Sequence, residues 1–396
     1  MGWDDIEIDK LIKTNRKKLE HLIDKNVPKI PLFINPTEST PVEISEFLSH
    51  LNLEFLDPLL KKIFPRFERI KEKVYARIRL PIFMKLRKIK FISTAYRIIK
   101  TNEIIARNLG FDPNNLPTYE TIRHFINDLL SNEIDTMFYS IVKEIDRNLR
   151  KNRDKITKAS EDATVITAKR NDDEAKYSGY YKTKGWKKDL LRDSHGIFIS
   201  YKDMEINDNE GDALPYHLQK LREIGIKLEE LTVDGKYPTY ENIAIAKCGY
   251  GTNLLYKPQK HWVYNEKGSV RKLHEKYSRY WRDVHYKANQ SIDYELQFLY
   301  KKGEYEYVGA YFRNIQVKKY ESNEKLRKKI IQKRNGDEGF NSYIKQHVGF
   351  ESELPRKGRK NAFFHTTLCL IALNMVALTR LQNGIKENLT SVAYLV

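Results

Sequence analysis

The stretch GWKKDLLRDSHGIFISYK (185–202) reads as two successive strands meeting in a hairpin. Upstream, ATVITAK (163–169) supplies a further strand of the same run. Downstream, the amphipathic helix DALPYHLQKLREIGI (212–226), the strand LEELTVD (228–234), the helix PTYENIAIAKC (238–248) and the strand TNLLYKP (252–258) alternate. Three hairpin-linked strands followed by helix, strand, helix, strand imply a mixed sheet covered by helices, an α+β or α/β fold.

Outside this core the pattern changes. Residues 1–150 are helical in periodicity: LIKTNRKKLEHLI (11–23), PVEISEFLSHL (41–51), FLDPLLKKIF (55–64) and EIDTMFYSIVKEIDRNL (133–149) repeat apolar residues at three and four. Within them EIIARNLGF, DPNNLP and TYETIRHFINDLL (103–130) spell helix, breaker, helix, with Thr118 or Thr121 as cap. That is the pattern of a helix-turn-helix DNA reader, with Arg123 exposed for contact, and equally of a plain αα-hairpin. The polar run KNRDKITKASEDATVITAKRNDDE (151–174) marks the boundary to a second domain. After Pro258 the alternation is interrupted by the basic, aromatic helix of 270–288 and by SIDYELQFLY (291–300) and YEYVGAYFRNIQV (305–317), which read as strands around the KKGE turn. Two helices, at 323–347 and 359–382, close the chain. The expected organisation is therefore a helical region at 1–150, a core from 151–258 and 321–396, and an insertion at 259–320.

The chain carries 71 lysines and arginines against 53 acids, a net charge of +18, with 12% aromatic residues. A basic face on a chain that can fold points to a polyanionic partner, nucleic acid first, and not to a membrane. Cys248 and Cys369 lack ligand spacing, so neither a disulfide framework nor a zinc site is indicated, and a reducing compartment is implied. The start MGWDDIEIDK excludes a secretory signal of the usual form, and Ile6 replaces the hydroxyl residue a myristoylation signal wants. The apolar stretch 362–381 contains His365, Thr366, Thr367 and Asn374, which reads as a buried core helix and not a membrane span.

Asp162 in EDATVIT and Asp234 in LTVDGKYPTY fall where strands begin or end, positions that aspartate also takes as a turn or cap residue. The third element is KRNGDEGFNSYIKQHVGFE (333–351). There Arg334, Glu338 and Lys345 stand at about 0, 40 and 20 degrees around a helix, on one face. The stripe is open to two readings, an intrahelical salt bridge or a carboxylate ligand flanked by phosphate-holding cations.

This constellation resembles the DDE transposases of prokaryotic insertion sequences, in the group whose last helix carries a Y-xx-R-xxx-E-xxxxxx-K signature. The arginine, glutamate and lysine are present at that spacing, and Ile331 stands at the tyrosine position. The likeness extends over Asp162-Ala163-Thr164, the lysine-tryptophan-lysine strand from Lys184 to Lys187, the VDGKY turn at Asp234, RKGRK (356–360) with the helix holding Asn374, and LPTYETIRHF, roughly residues 105 to 382. The resemblance implies a ribonuclease H-like core, whose order the strands and helices match, with Asp162, Asp234 and Glu338 as catalytic acids holding two Mg2+ ions, Mn2+ able to substitute. Asp172, Asp173 or Asp193 could stand in for the first acid. It further implies phosphate contacts from Arg334, Lys345 and Lys187, and a base-stacking or packing role for Trp262 and Trp281 in the insertion. The partners would be double-stranded DNA, as element ends and target, and a second copy in a synaptic homodimer, in the prokaryotic cytoplasm at the nucleoid. A nuclease without strand transfer, or a DNA-binding protein that has lost catalysis, are the competing readings.

Overall fold

Three antiparallel strands dominate the sheet: β1 (Lys158–Thr167), β3 (Thr183–Asp193) and β4 (Phe198–Glu205), with β1 and β4 on opposite edges of β3. In this computed structural model, residues 33–259, 304–350 and 354–396 are described. The chain divides after Ile34, and the unit Asn35–Val396 is the one considered below. A short β2 (Lys176–Ser178) pairs with the start of β3, and β5 (Glu230–Val233) and β6 (Asn253–Leu255) run parallel to β1, giving the order β2-β3-β1-β5-β6 with β4 also on β3. The protein is a mixed sheet flanked by helices, as the alternation implied.

The β3–β4 hairpin is fixed by its own aspartate. The Asp193 carboxylate accepts from the His195 and Ile197 amides at 2.9 and 2.8 Å, and Gly196 takes the positive φ of 84° that the turn needs. Parallel strands need crossovers, and α8 (Leu214–Glu223) and α9 (Tyr240–Ala244) supply them, α8 leading into β5 and α9 joining β5 to β6.

Among the described residues, seven helices precede the sheet: α1 (Ile44–Ser49), α2 (Asp57–Ile63), α3 (Phe67–Leu86), α4 (Ile92–Thr101), α5 (Glu103–Leu109), α6 (Tyr119–His124) and α7 (Ile134–Lys151). The predicted helix, turn, helix is α5, then α6 continued by a π-helical turn at Phe125–Leu130, with Gly110 left-handed at the first end and Thr118 capping the second. Among the described residues, three helices follow the crossovers: α10 (Glu304–Ser322), α11 (Glu324–His347) and α12 (Arg359–Gln382).

Every residue of α12 from His365 to Leu381 is buried, which explains its apolar run. A helix that is apolar all round belongs inside a core, and α12 packs against α3, α7 and β4. Its polar residues are satisfied locally. Asn374, with no exposure, gives its amide to the Phe198 carbonyl at 2.7 Å and takes the Phe198 amide at 3.0 Å, standing in for a strand beside β4. Leaving both backbone groups unpaired would cost about 2–4 kcal/mol.

Two expectations change. The segment 305–317 is not strand but lies inside α10. Its aromatic and β-branched content mimics a strand, whereas the helix is fixed by a crossing with α9, where Gly309 lies so close that an added Cβ would meet the Tyr240 carbonyl oxygen at 2.0 Å. In addition, β1 starts at Lys158, inside the polar run read as the boundary. Residues 11–23 and 270–300 lie outside the described residues.

Candidate functional site

The strand pleat sends successive side chains to opposite faces, so Glu161 and Asp162 of β1 part company. Asp162 lies across from Leu190 on the face where Tyr201 of β4 meets Phe138 of α7 at 4.8 Å and Trp186 of β3 meets Phe363 of α12. Helix α11 covers the same face, against β1 and β5.

The neighbouring strand brings the second acid. In the parallel ladder Glu161 pairs with Val233, so Asp162 and Asp234 each stand one residue beyond that pair on adjacent strands. Both are half-buried. The chain turns sharply after Asp234, whose carbonyl accepts from the Tyr237 amide at 3.1 Å.

Three tethers hold α11 in place. Near its start the Lys329 ammonium reaches Glu230 of β5 at 2.7 Å. Burial would raise the Glu230 carboxyl, but Lys329, Lys158 and Lys333 outweigh it and hold it below its usual range. In the middle, the Asn341 side chain donates to Asp162 Oδ2 at 2.7 Å. Toward the end, the Tyr343 hydroxyl accepts from the Val392 amide at 2.6 Å. Phe340 adds an apolar anchor between Phe198, at 5.5 Å, and the Arg192 guanidinium, at 4.1 Å.

Arg334, Glu338, Asn341 and Lys345 are spaced by four, three and four, so they form one stripe within about 60 degrees of the helix axis. Since Asn341 touches Asp162, the side of α11 that carries Asn341 is turned toward β1. Glu338 lies one turn before that contact and the half-buried Lys345 one turn after it. The structure thus brings the elements bearing Asp162, Asp234 and Glu338 together. Asn341 was missed in the sequence, although its spacing to Glu338 and Lys345 was the available signal.

Lys187 does not join them. It is opposite Val165, on the other face of the sheet, 3% exposed, with its ammonium on the Asp208 carbonyl at 2.5 Å and Glu210 at 3.4 Å. Arg123 is exposed on α6 and paired with Glu120 at 2.6 Å. Trp262 and Trp281 lie outside the described residues. Among the other aspartates, Asp172 accepts from the Gly358 amide at 2.8 Å, Asp173 is exposed, and Asp193 caps its hairpin, with burial pushing its carboxyl up to about 6. Two of these three are thus engaged as backbone acceptors in turns.

On the opposite face lies a second acidic group that no spacing in the sequence announced. Glu161, Asp189 and His217 of α8 are all buried, with one ligand atom from each within 4.8 Å of the others. His217 Nε2 is 3.0 Å from Asp189 and 3.8 Å from Glu161, and its Nδ1 is 2.8 Å from the Ser200 hydroxyl, which is 3.1 Å from that of Tyr139. The Tyr237 hydroxyl donates to the other Asp189 oxygen at 2.5 Å. Burial first, then the Asp189 charge, push the Glu161 carboxyl well up, and burial with Asp189 does the same to the Tyr237 phenol.

No family model matches the chain, and no curated protein is found to be similar to it.

Proposed function

We propose that the chain is a DDE-type transposase, a metal-dependent enzyme that cuts DNA at insertion-sequence ends and joins the freed ends to target DNA on a ribonuclease H-like core. The observation that carries this reading is the Asn341–Asp162 contact together with the Glu161–Val233 register, which put the Glu338 helix against the strands of Asp162 and Asp234. The antiparallel β4-β3-β1 run with parallel β5 and β6 agrees with such a core.

The donor set fits the ions this chemistry uses. Carboxylates, of which Asp162 and Asp234 are half-buried, are hard oxygen ligands suited to Mg2+ and Mn2+, and two such ions would supply an activated water and charge stabilisation at the attacking and leaving oxygens. The protein's own groups position the reaction. Asn341 fixes the Asp162 carboxylate by its amide, and the β5 turn sets Asp234 next to it. Lys345, and Arg334 on the same stripe, would hold phosphate oxygens on either side of Glu338. The basic helical region would read the element ends, and two copies would act together because two ends are cut. The +18 charge supports a DNA partner and residence at the nucleoid.

The test is Mg2+-dependent cleavage of a plasmid bearing the parental element's ends, with Asp234→Asn and Glu338→Gln as comparisons. Cuts at the ends that both variants abolish, followed by joining to target DNA, support the reading. Cutting without joining indicates a nuclease, and DNA binding without cutting indicates a binding protein.

A further inference from the structure

Glu161 is sealed from solvent at 2% exposure, and neither of its carboxylate oxygens has a hydrogen-bond partner. An ionised carboxylate in a dry interior needs a compensating charge, and none of the groups around Glu161 is a lysine or arginine bonded to it. Its neighbours are a second carboxylate and an imidazole. Asp189 and His217 have no side-chain exposure, and the three residues converge their ligand atoms within 4.8 Å.

The surroundings are organised as a ligand shell would be. In the tautomer that donates its Nδ1 hydrogen to Ser200, the Nε2 lone pair of His217 faces the two carboxylates; in the other, Nε2–H donates to Asp189. Two negative groups and a lone pair directed at one point repel unless a proton or a cation sits between them, and the convergence of three ligand atoms on one point suits a cation. The outer Asp189 oxygen is held by Tyr237, which leaves the inner one directed at His217. Two carboxylate oxygens with one imidazole nitrogen suit a divalent transition ion better than magnesium or calcium, which favour all-oxygen surroundings.

The geometry points to a buried site for one divalent transition ion of the zinc type, ligated by Glu161, Asp189 and His217 on the sheet face opposite Asp162. The ion would join β1, β3 and α8, and through Tyr237 it would brace the turn that follows Asp234. The site stands whether or not the DNA-cutting reading holds.

The full chain, dialysed against a chelator, is analysed for metal by mass spectrometry and then titrated with Zn2+ or Co2+. About one tightly held ion per chain is expected, with visible cobalt absorption and a raised thermal midpoint on adding zinc. The ion should persist in Asp162→Asn/Asp234→Asn/Glu338→Gln, and Glu161→Gln should weaken it by more than about 100-fold. His217→Asn is the second variant, and the wild-type titration decides if it fails to fold. The proposal is overturned if wild type holds no ion and shows no cobalt absorption, or if the ion follows the triple variant and not Glu161→Gln. It is also overturned if an infrared band of a protonated carboxylic acid disappears in metal-free Glu161→Gln while wild type takes up no ion, since Glu161 is then simply neutral.

Discussion

Consecutive residues of β1 meet opposite surroundings. On one face Asp162 is half-buried and accepts from the Asn341 amide on one oxygen, and Asp234 stands beside it near a helix that carries Glu338. On the other, Glu161 is closed in with Asp189 and His217, and a tyrosine and a serine bond the last two. The contrast shows how a pleat assigns two roles to one acidic pair. An acid left partly open can take a metal together with a substrate, whereas one sealed among fixed partners can serve the fold alone.

The largest effect expected is on the open face. Asp162→Asn, Asp234→Asn or Glu338→Gln should each lower Mg2+-dependent cutting by about 10³-fold or more, roughly 4 kcal/mol at the transition state, measured by cleavage of element-end DNA. An Asp162→Asn protein that cuts at the wild-type rate would break the comparison. Next, Asn374→Leu removes both partners of the Phe198 backbone and should cost about 2–4 kcal/mol in urea unfolding; a loss under about 0.5 kcal/mol would mean that β4 does not depend on α12. Asn341→Leu should lower cutting by about 10–100-fold, the range for a group that orients a metal ligand, and Asn341→Asp should not restore it, because a carboxylate cannot donate to Asp162.

The smallest effect concerns pH. Burial first, then the Lys85 charge, push the His365 ring down from 6.5 to about 3. The folded-state value lies below the ordinary one, so the neutral ring favours folding above about pH 6.5, and that contribution is lost as pH falls toward 3. In His365→Gln, which keeps an acceptor for Lys85 and a donor for the Gly349 carbonyl, thermal midpoints should fall less steeply between pH 6.5 and 4. Parallel curves for the two proteins would remove His365 from the acid response.

Strong periodicity made much of this architecture readable. The β3–β4 hairpin, the crossover helices and the stripe of α11 follow from alternation and helical spacing, which a single chain displays. The apolar run of α12 was readable as core because its polar residues needed partners that lipid does not offer. What depends on the far side of a contact was not readable. Lys187 looks like a phosphate ligand beside Trp186, but its face of β3 is decided by the register with β1 and its charge is taken by Glu210. Asn341 looks like an ordinary helix residue until Asp162 is placed across from it. Segment 305–317 has strand composition, and only the crossing with α9 makes it helix.

That crossing has a further meaning for how the chain tolerates change. Gly309 fits against the backbone of Tyr240, and the Gln259 side chain bonds the Gly235 carbonyl at 2.9 Å, so both ends of the stretch 260–303 are fastened to the few residues that follow Asp234. When a chain departs and returns at neighbouring points, lengthening what lies between costs only about 0.6 kcal/mol of closure entropy per doubling. Descendants of this protein can therefore gain, trade or shed material there with little strain on the sheet.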